Sequence, residues 1–464
     1  MLFFKKNLGT GRFFFSRSCR VIILSLFAMT GLFCGVPYLE AQAAGKPVSK
    51  TADEMPAKLD LAGAKQIAFN HSWDLLAAKS GIDSATAQLI IAREFPNPTA
   101  SVSSAKLGTH EAGTPMGNSI WDRSYDTIAA VNQLIEVAGK RYDRQQAARA
   151  GILGARAMFL DAKRILDQGV TKAYIAVLLA EATARNLNQS AGYLLHEAEI
   201  GKAQVKAGDL SDSNLNQLEV NAEQLELQAK AADAAAAQAR IAMQVLMGIK
   251  QPDGKWTPVE SLEKLVATYT VPAAESGPGA MRTDVLAAEA NLRAGKAQLD
   301  LQKAYRVPDP TFSVGYEHNP PGGGPPTDTL NVGVSLPLPL WNQNGGNIKA
   351  AQAAVDQYQI ALGKIKTQAF SDFANAVVGY NEAHNRFLRY RDETAPKSTK
   401  VRESVSWAYE HGAASLVDLL NAEQTDNTVR LALAQAMNDT TSAVADLIAA
   451  QTVITETELN PRKK

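Results

Sequence analysis

Two periodicities divide this chain. Phe312, Val314 and Tyr316 alternate with Ser313, Gly315 and Glu317, and Leu330, Val332, Val334, Leu336 and Leu338 alternate with Asn331, Gly333, Ser335 and Pro337. Period two with one apolar side predicts strands at about 310–318 and 328–339. Tyr125, Ala129, Val131, Ile135 and Val137 give a weaker alternation, and Thr99 to Lys106 a weaker one still, predicting strands at about 124–137 and 98–107. Such strands either pack on a core or separate lipid from water, with about ten residues per crossing; periodicity alone leaves both readings open. Elsewhere the chain reads as helix. No proline occurs between Pro115 and Pro252, between Pro339 and Pro396, or between Pro396 and Pro461, and these stretches are rich in Ala, Leu, Gln, Glu and Lys. Proline costs about 3 kcal/mol in a helix interior, so its absence favours long helices. One from Gly139 to about Lys206 would reach roughly 100 Å at about 1.5 Å per residue, far beyond a compact domain. Leu218 and Leu225, like Leu215 and Ala222, lie one heptad apart, and Ala229 to Ala237 is small on every side, as elongated bundles require.

The pattern is stated twice. Phe95-Pro96-Asn97-Pro98-Thr99-Ala100-Ser101-Val102 returns as Val307-Pro308-Asp309-Pro310-Thr311-Phe312-Ser313-Val314. Upstream, Asp74-Leu75-Leu76-Ala77-Ala78 returns as Asp284-Val285-Leu286-Ala287-Ala288. So long a period means a duplicated architecture, not a solenoid of small repeats. The chain therefore divides into a first repeat at 44–249, a connector at 250–280 with an Asp253-Gly254 turn, a second repeat at 281–456 and a tail at 457–464. The fold class is mostly α with a small β part, built from two tandem helix–hairpin–helix repeats. The hairpin connections fall at 108–123 and 319–328; the second, rich in Pro and Gly, lacks the Lys-Ser/Thr of a phosphate cradle.

Residues 1–43 read as an export signal: Lys5, Lys6, Arg12, Arg17 and Arg20 precede the apolar run Val21 to Val36, and Ala41-Gln42-Ala43 offers a cleavage site. The apolar run is short for a membrane span of about 20 residues. Both cysteines, Cys19 and Cys34, lie inside residues 1–43, so a mature chain cleaved there would have no disulfide, zinc-thiolate site or cysteine nucleophile. Phe33 stands where a lipoprotein signal needs a small residue, which argues against acylation at Cys34. The 47 basic and 47 acidic residues give no pointer to nucleic acid. His71, His110, His196, His318, His384 and His411 are scattered, and no nucleophile elbow, Walker loop or dinucleotide pattern occurs. The sequence argues against an enzyme, and no cofactor is expected.

A second echo marks two reversals. Gly208-Asp209-Leu210-Ser211 leads into Leu215 and Glu219, and Gly412-Ala413-Ala414-Ser415 leads into Leu419 and Glu423. Glycine tolerates the left-handed conformation that ends a helix, and the serine caps the next one. These are either tight turns and nothing more or docking tips displaying apolar Leu210 and Leu416; the expected partner-binding set is Gly208, Leu210, Ser211, Gly412, Ser415, Leu416 and Asp418.

Together these residues resemble the TolC-like outer-membrane efflux channels of Gram-negative bacteria, from about Lys58 to Thr455. The carriers are the N/D-P-T-x-S-V strand openings and the reversal Gly412 to Glu423, with Asp418, Asn421 and Ala422 at the family's spacing. Asn214 departs from it in the first copy. Leu336-Pro337-Leu338-Pro339-Leu340-Trp341-Asn342-Gln343-Asn344-Gly345-Gly346-Asn347-Ile348 looks like the PLPLF-x-R-N-x-G-N-I stretch of the CzcC-like heavy-metal branch, with Gln343 replacing the usual Arg. The resemblance implies a homotrimer in which each chain gives four strands to a 12-stranded outer-membrane β-barrel, continued by a periplasmic tunnel of coiled-coil helices. Leu330, Val332, Val334, Leu336 and Leu338 would face outer-membrane lipid. It further implies a passive duct for cobalt, zinc, cadmium, copper or nickel cations, fed by an inner-membrane pump of the RND type through a periplasmic adaptor docked at the reversals. The alternatives are a multidrug or type I secretion duct, or a periplasmic coiled-coil scaffold or adaptor, which would have no use for lipid-facing strands.

Overall fold

The computed structural model describes residues 55–104, 127–208, 210–270, 282–318 and 328–451. The signal segment with both cysteines, the connection 108–123, the connection 319–328 apart from Asp328, the end of the 250–280 connector and the 457–464 tail lie outside the described residues. In chain order the elements are β1 (Lys58–Leu59), α1 (Leu61–His71), α2 (Trp73–Arg93), β2 (Thr99–Ser104) and β3 (Thr127–Leu134). Then come α3 (Lys140–Ala207), α4 (Asp212–Leu246), β4 (Thr257–Pro258), α5 (Leu262–Thr268) and α6 (Thr283–Ala304). The second half continues with β5 (Thr311–His318), β6 (Thr329–Ser335), α7 (Gly345–Arg389), a π-helical turn (Tyr390–Thr394), α8 (Ala395–Glu410) and α9 (Leu416–Gln451).

The 68-residue α3 is the spine, about 100 Å long at the standard rise. Near the sheet the packing order is α2, α3, α6, α7; beyond the middle it is α4, α3, α9, α8. Both orders follow from the duplication: α3 and the continuous run α7–π–α8 each serve both levels, while shorter helices supply the rest. The principal core lies where the levels meet. There β1 pairs in parallel with β4, and α1 and α5 pack against α3 and α9 respectively. Tyr174, Ile175, Met243, Met247 and Leu262 are fully enclosed in it; the Tyr174 hydroxyl donates to the Leu59 carbonyl at 3.1 Å and the Trp256 ring N–H to Arg240 O at 3.2 Å.

The other four strands form one antiparallel sheet in the order β2-β3-β5-β6. The central pairing, β3 with β5, joins the two repeats, with Val131 opposite Val314 and Ala129 opposite Tyr316. Where β3 runs into α3, three cations tie sheet to helices. Lys140, 2% exposed, donates to Asp309 Oδ1 and Val307 O, both at 2.6 Å, and Asp309 Oδ1 also accepts the Val137 N–H at 2.9 Å. Arg144 grips Glu136 with two bonds and reaches Glu94 O, and Arg141 donates to Arg93 O beneath the Phe95 ring. These donors satisfy carbonyls left open at the end of α2. Asp309 belongs to the repeated N/D-P-T signature; its counterpart Asn97 is exposed.

Candidate functional site

The sheet has two unlike faces. Register places Val102, Val131, Phe312, Val314, Tyr316, Leu330, Val332 and Val334 on one side, Val314 facing Val332 and Tyr316 facing Leu330. All of these are exposed, Leu330 and Val332 by 72% and 73%. The opposite face carries Ser101, Asn132, Ser313, Glu317 and Asn331, with Ile128, Ala130 and Leu134 of β3 as apolar exceptions. It is cross-linked by polar contacts: Asn132 donates to Ser101 Oγ at 3.0 Å, and Asn331 to Glu317 Oε2 at 2.6 Å. An apolar face turned to water would be a liability, so the arrangement fits lipid on one side and water on the other.

Of the five residues expected to face lipid, Leu330, Val332 and Val334 stand on β6. Leu336 and Leu338 do not: the strand ends at Ser335, and both lie exposed beyond it. Pro337 and Pro339 lack the N–H that a ladder needs, so apolar alternation outlasts the strand.

Two sides of the sheet are open. Among the described residues, β2 and β6 each have a strand neighbour on one side only. The helices joined to them are also outermost in the upper layer, α2 leading into β2 and β6 leading into α7. α2 exposes Trp73, Ile90 and Ile91, and α7 exposes Ile360, Phe370 and Val378.

At the far end are the two reversals. Gly208 and Gly412 both adopt left-handed backbone, with φ of 85° and 74°. Ser211 Oγ accepts the Asn214 N–H at 3.2 Å. The second copy forms a full reciprocal cap: Asp418 N–H donates to Ser415 Oγ, while the Ser415 N–H and hydroxyl donate to Asp418 Oδ2 at 3.1 and 2.7 Å. The Ser415 hydroxyl and N–H hold the Asp418 carboxyl below the usual carboxylate range. Asn214 makes no such return bond among those described, so the aspartate serves the second turn alone.

The expected display of Leu416 is incorrect. It is 6% exposed and packs with Leu194, Leu218, Tyr409 and Leu419 in a second core cluster. As the first residue of α9 it points between the helices; its neighbour Val417 is exposed instead, and Leu210 is half-buried. A groove of about 410 Å³ lies between α8 and α9, lined by Val401, Val405, Ala414, Asp418 and Asn421 among others.

Behind this groove sits a buried polar cluster absent from the expected site. Arg402 lies 3.5 Å from Glu423 and 3.3 Å from Asp426, and Arg430 lies 2.7 Å from Asp426. The Ser398 hydroxyl donates to Asp426 at 2.8 Å. Burial pushes the Glu423 carboxyl up against the opposing pull of Arg402. Glu423 stood in the repeated reversal pattern, but nothing in sequence separated it from Glu219, which is paired with Lys202 at the surface. Among the described residues no group of three or more His, Cys, Asp or Glu is placed to hold a metal, and no helix is long and apolar enough to cross a membrane.

The two-faced sheet is thus continued by long helices, the longest of 68 residues. Residues 280–451 match the family described as "Outer membrane efflux protein", so the resemblance read from the sequence holds. The chain is 24% identical over 376 residues to the cobalt-zinc-cadmium resistance protein CzcC of Cupriavidus metallidurans, covering 80% of this chain and 85% of that one. Among solved structures it is similar to the CmeC outer membrane channel of Campylobacter jejuni, with TM-score 0.71 and 17% identity over 87% of this chain and 88% of that one. It is also similar to CusC, for which transmembrane channel formation is described, with TM-score 0.69 and 17% identity over 85% of this chain and 92% of that one.

Proposed function

We propose that this chain is the outer-membrane duct of a tripartite efflux system, that it assembles as a homotrimer, and that it carries heavy-metal cations without chemistry. The observation that carries the duct is the four-stranded sheet with one exposed apolar face and two open edges. An open edge is not viable in lipid, so copies must join, β6 of one to β2 of the next. Strand directions alternate across the sheet, which makes that junction antiparallel like the others. Closure alone permits eight or twelve strands; the family's architecture favours twelve. The outer-membrane location rests on the family match and the fold, and the cation cargo on the likeness to the cobalt-zinc-cadmium resistance protein and on the Leu336 to Ile348 segment. An RND-type pump would supply the energy.

The adaptor would dock at the reversals held by Gly208, Ser211, Gly412, Ser415 and Asp418, in the groove beside exposed Val417. Fractionation tests the duct: it is expected in the detergent-requiring outer-membrane fraction as a trimer resistant to mild SDS, and recovery in the soluble periplasm overturns the reading. Loss of the gene should sensitise cells to cobalt, zinc or cadmium more than to organic toxicants; the reverse would reassign the cargo. Val417→Asp should weaken adaptor crosslinking while the trimer persists.

A further inference from the structure

Among the described strand residues, the polar face of the sheet carries one side chain of the Asp, Glu, Lys or Arg type, Glu317. Among the described strand residues of β2, β3, β5 and β6 there is no Lys or Arg, and Glu317 is the only Asp or Glu. Register sets Glu317 opposite Ile128 on β3 and Thr329 on β6, on the same face as Ser101, Asn132 and Asn331. Its carboxylate accepts a 2.6 Å bond from the Asn331 amide and a 3.4 Å contact from the Thr329 hydroxyl. Both donors are neutral, so they orient the charge without cancelling it, and no cation pairs with it among the described residues. By contrast, the neighbouring His318 belongs to the other face and lies 2.9 Å from Asp328.

We infer that Glu317 is a specificity-determining residue of the conduit: one carboxylate from each copy forms a ring that favours passage of hydrated cations over anions. The inference rests on the duct reading and deepens it by naming the residue that sets the conduit's charge preference. A fixed ring of like charge in a narrow aqueous passage bounded by low-dielectric walls concentrates counter-ions and repels co-ions. Because the charge is screened over about 10 Å at 0.1 M salt, the preference should fade as ionic strength rises.

The test is reversal potential across a planar bilayer holding the purified full-length protein, with a KCl gradient at low salt. The wild type should prefer potassium to chloride. Glu317→Gln, which keeps the shape and an oxygen facing Asn331, should lower the permeability ratio severalfold toward unity. Glu317→Asp should retain the preference, and Glu317→Lys should reverse it. Conductance with the same ratio in wild type and Glu317→Gln overturns the role of Glu317 and leaves the duct intact. A wild type without conductance brings down the duct reading and this inference with it. SDS-resistant assembly of each variant separates lost selectivity from lost folding.

Discussion

At the scale of single residues, the two copies of one signature have come to do different work. Asp309 compensates a lysine that is almost wholly enclosed, whereas Asn97 stands in solvent. Removing one partner of a buried ion pair leaves an uncompensated charge and typically costs about 3–5 kcal/mol. Asp309→Ala is therefore expected to lower the thermal stability of the assembly by an amount of that order, and Asn97→Ala to leave it nearly unchanged, as differential scanning calorimetry would show. Glu197 provides a pH-dependent counterpart. Burial pushes its carboxyl up, Glu410 adds to the effect, and the Ser406 hydroxyl partly opposes it. A carboxyl whose folded pKa is raised binds its proton more tightly folded than unfolded, so stability declines as pH rises from the ordinary carboxylate value through the raised one. Glu197→Gln should thus raise the melting temperature at neutral pH, and that gain should vanish below about pH 4. An equal gain at both pH values would exclude ionisation as the cause.

At the scale of elements, the reversals depend on backbone that side chains resist. Nothing lies within 4 Å of where a Cβ on Gly412 would sit, so Gly412→Ala tests conformation alone. It should cost about 1–2 kcal/mol, and Gly412→Asn less, in chemical denaturation. The length of α3 and the place of β5 were legible in the sequence because both follow from local pattern: proline absence marked α3, and Phe312, Val314 and Tyr316 marked β5. The orientation of Leu416 was not legible, since which side of a helix faces inward is decided by α3 and α4, remote in sequence. Pro396 likewise suggests a break, yet helix continues past it. The preceding residues widen into a π turn, with the Ala395 N–H reaching Tyr390 O, and Pro396 occupies the opening of α8, where an N–H is least needed. The buried Arg402 cluster was invisible for the same reason as Leu416: its members resemble any solvated helical charge until the helices are placed.

For the whole molecule, the contrast between the faces of the sheet is the decisive property. A charge on the lipid side of a barrel at mid-depth costs about 2–4 kcal/mol, while the watery side tolerates it. Val332→Arg should abolish stable insertion in the outer-membrane fraction, whereas Ser101→Arg, on the other face, should insert and alter conductance. Equal tolerance of both would mean that the two faces do not meet different media.

The unfinished sides of α2 with β2 and of β6 with α7 also bear on biogenesis. On the duct reading, a solitary copy would bring bare peptide groups into hydrocarbon along two borders, so entry into the bilayer is expected not to precede association. Insertion should therefore depend on protein concentration with a kinetic order above one, and a chain defective at either border should accumulate on the aqueous side rather than float in the membrane half-made.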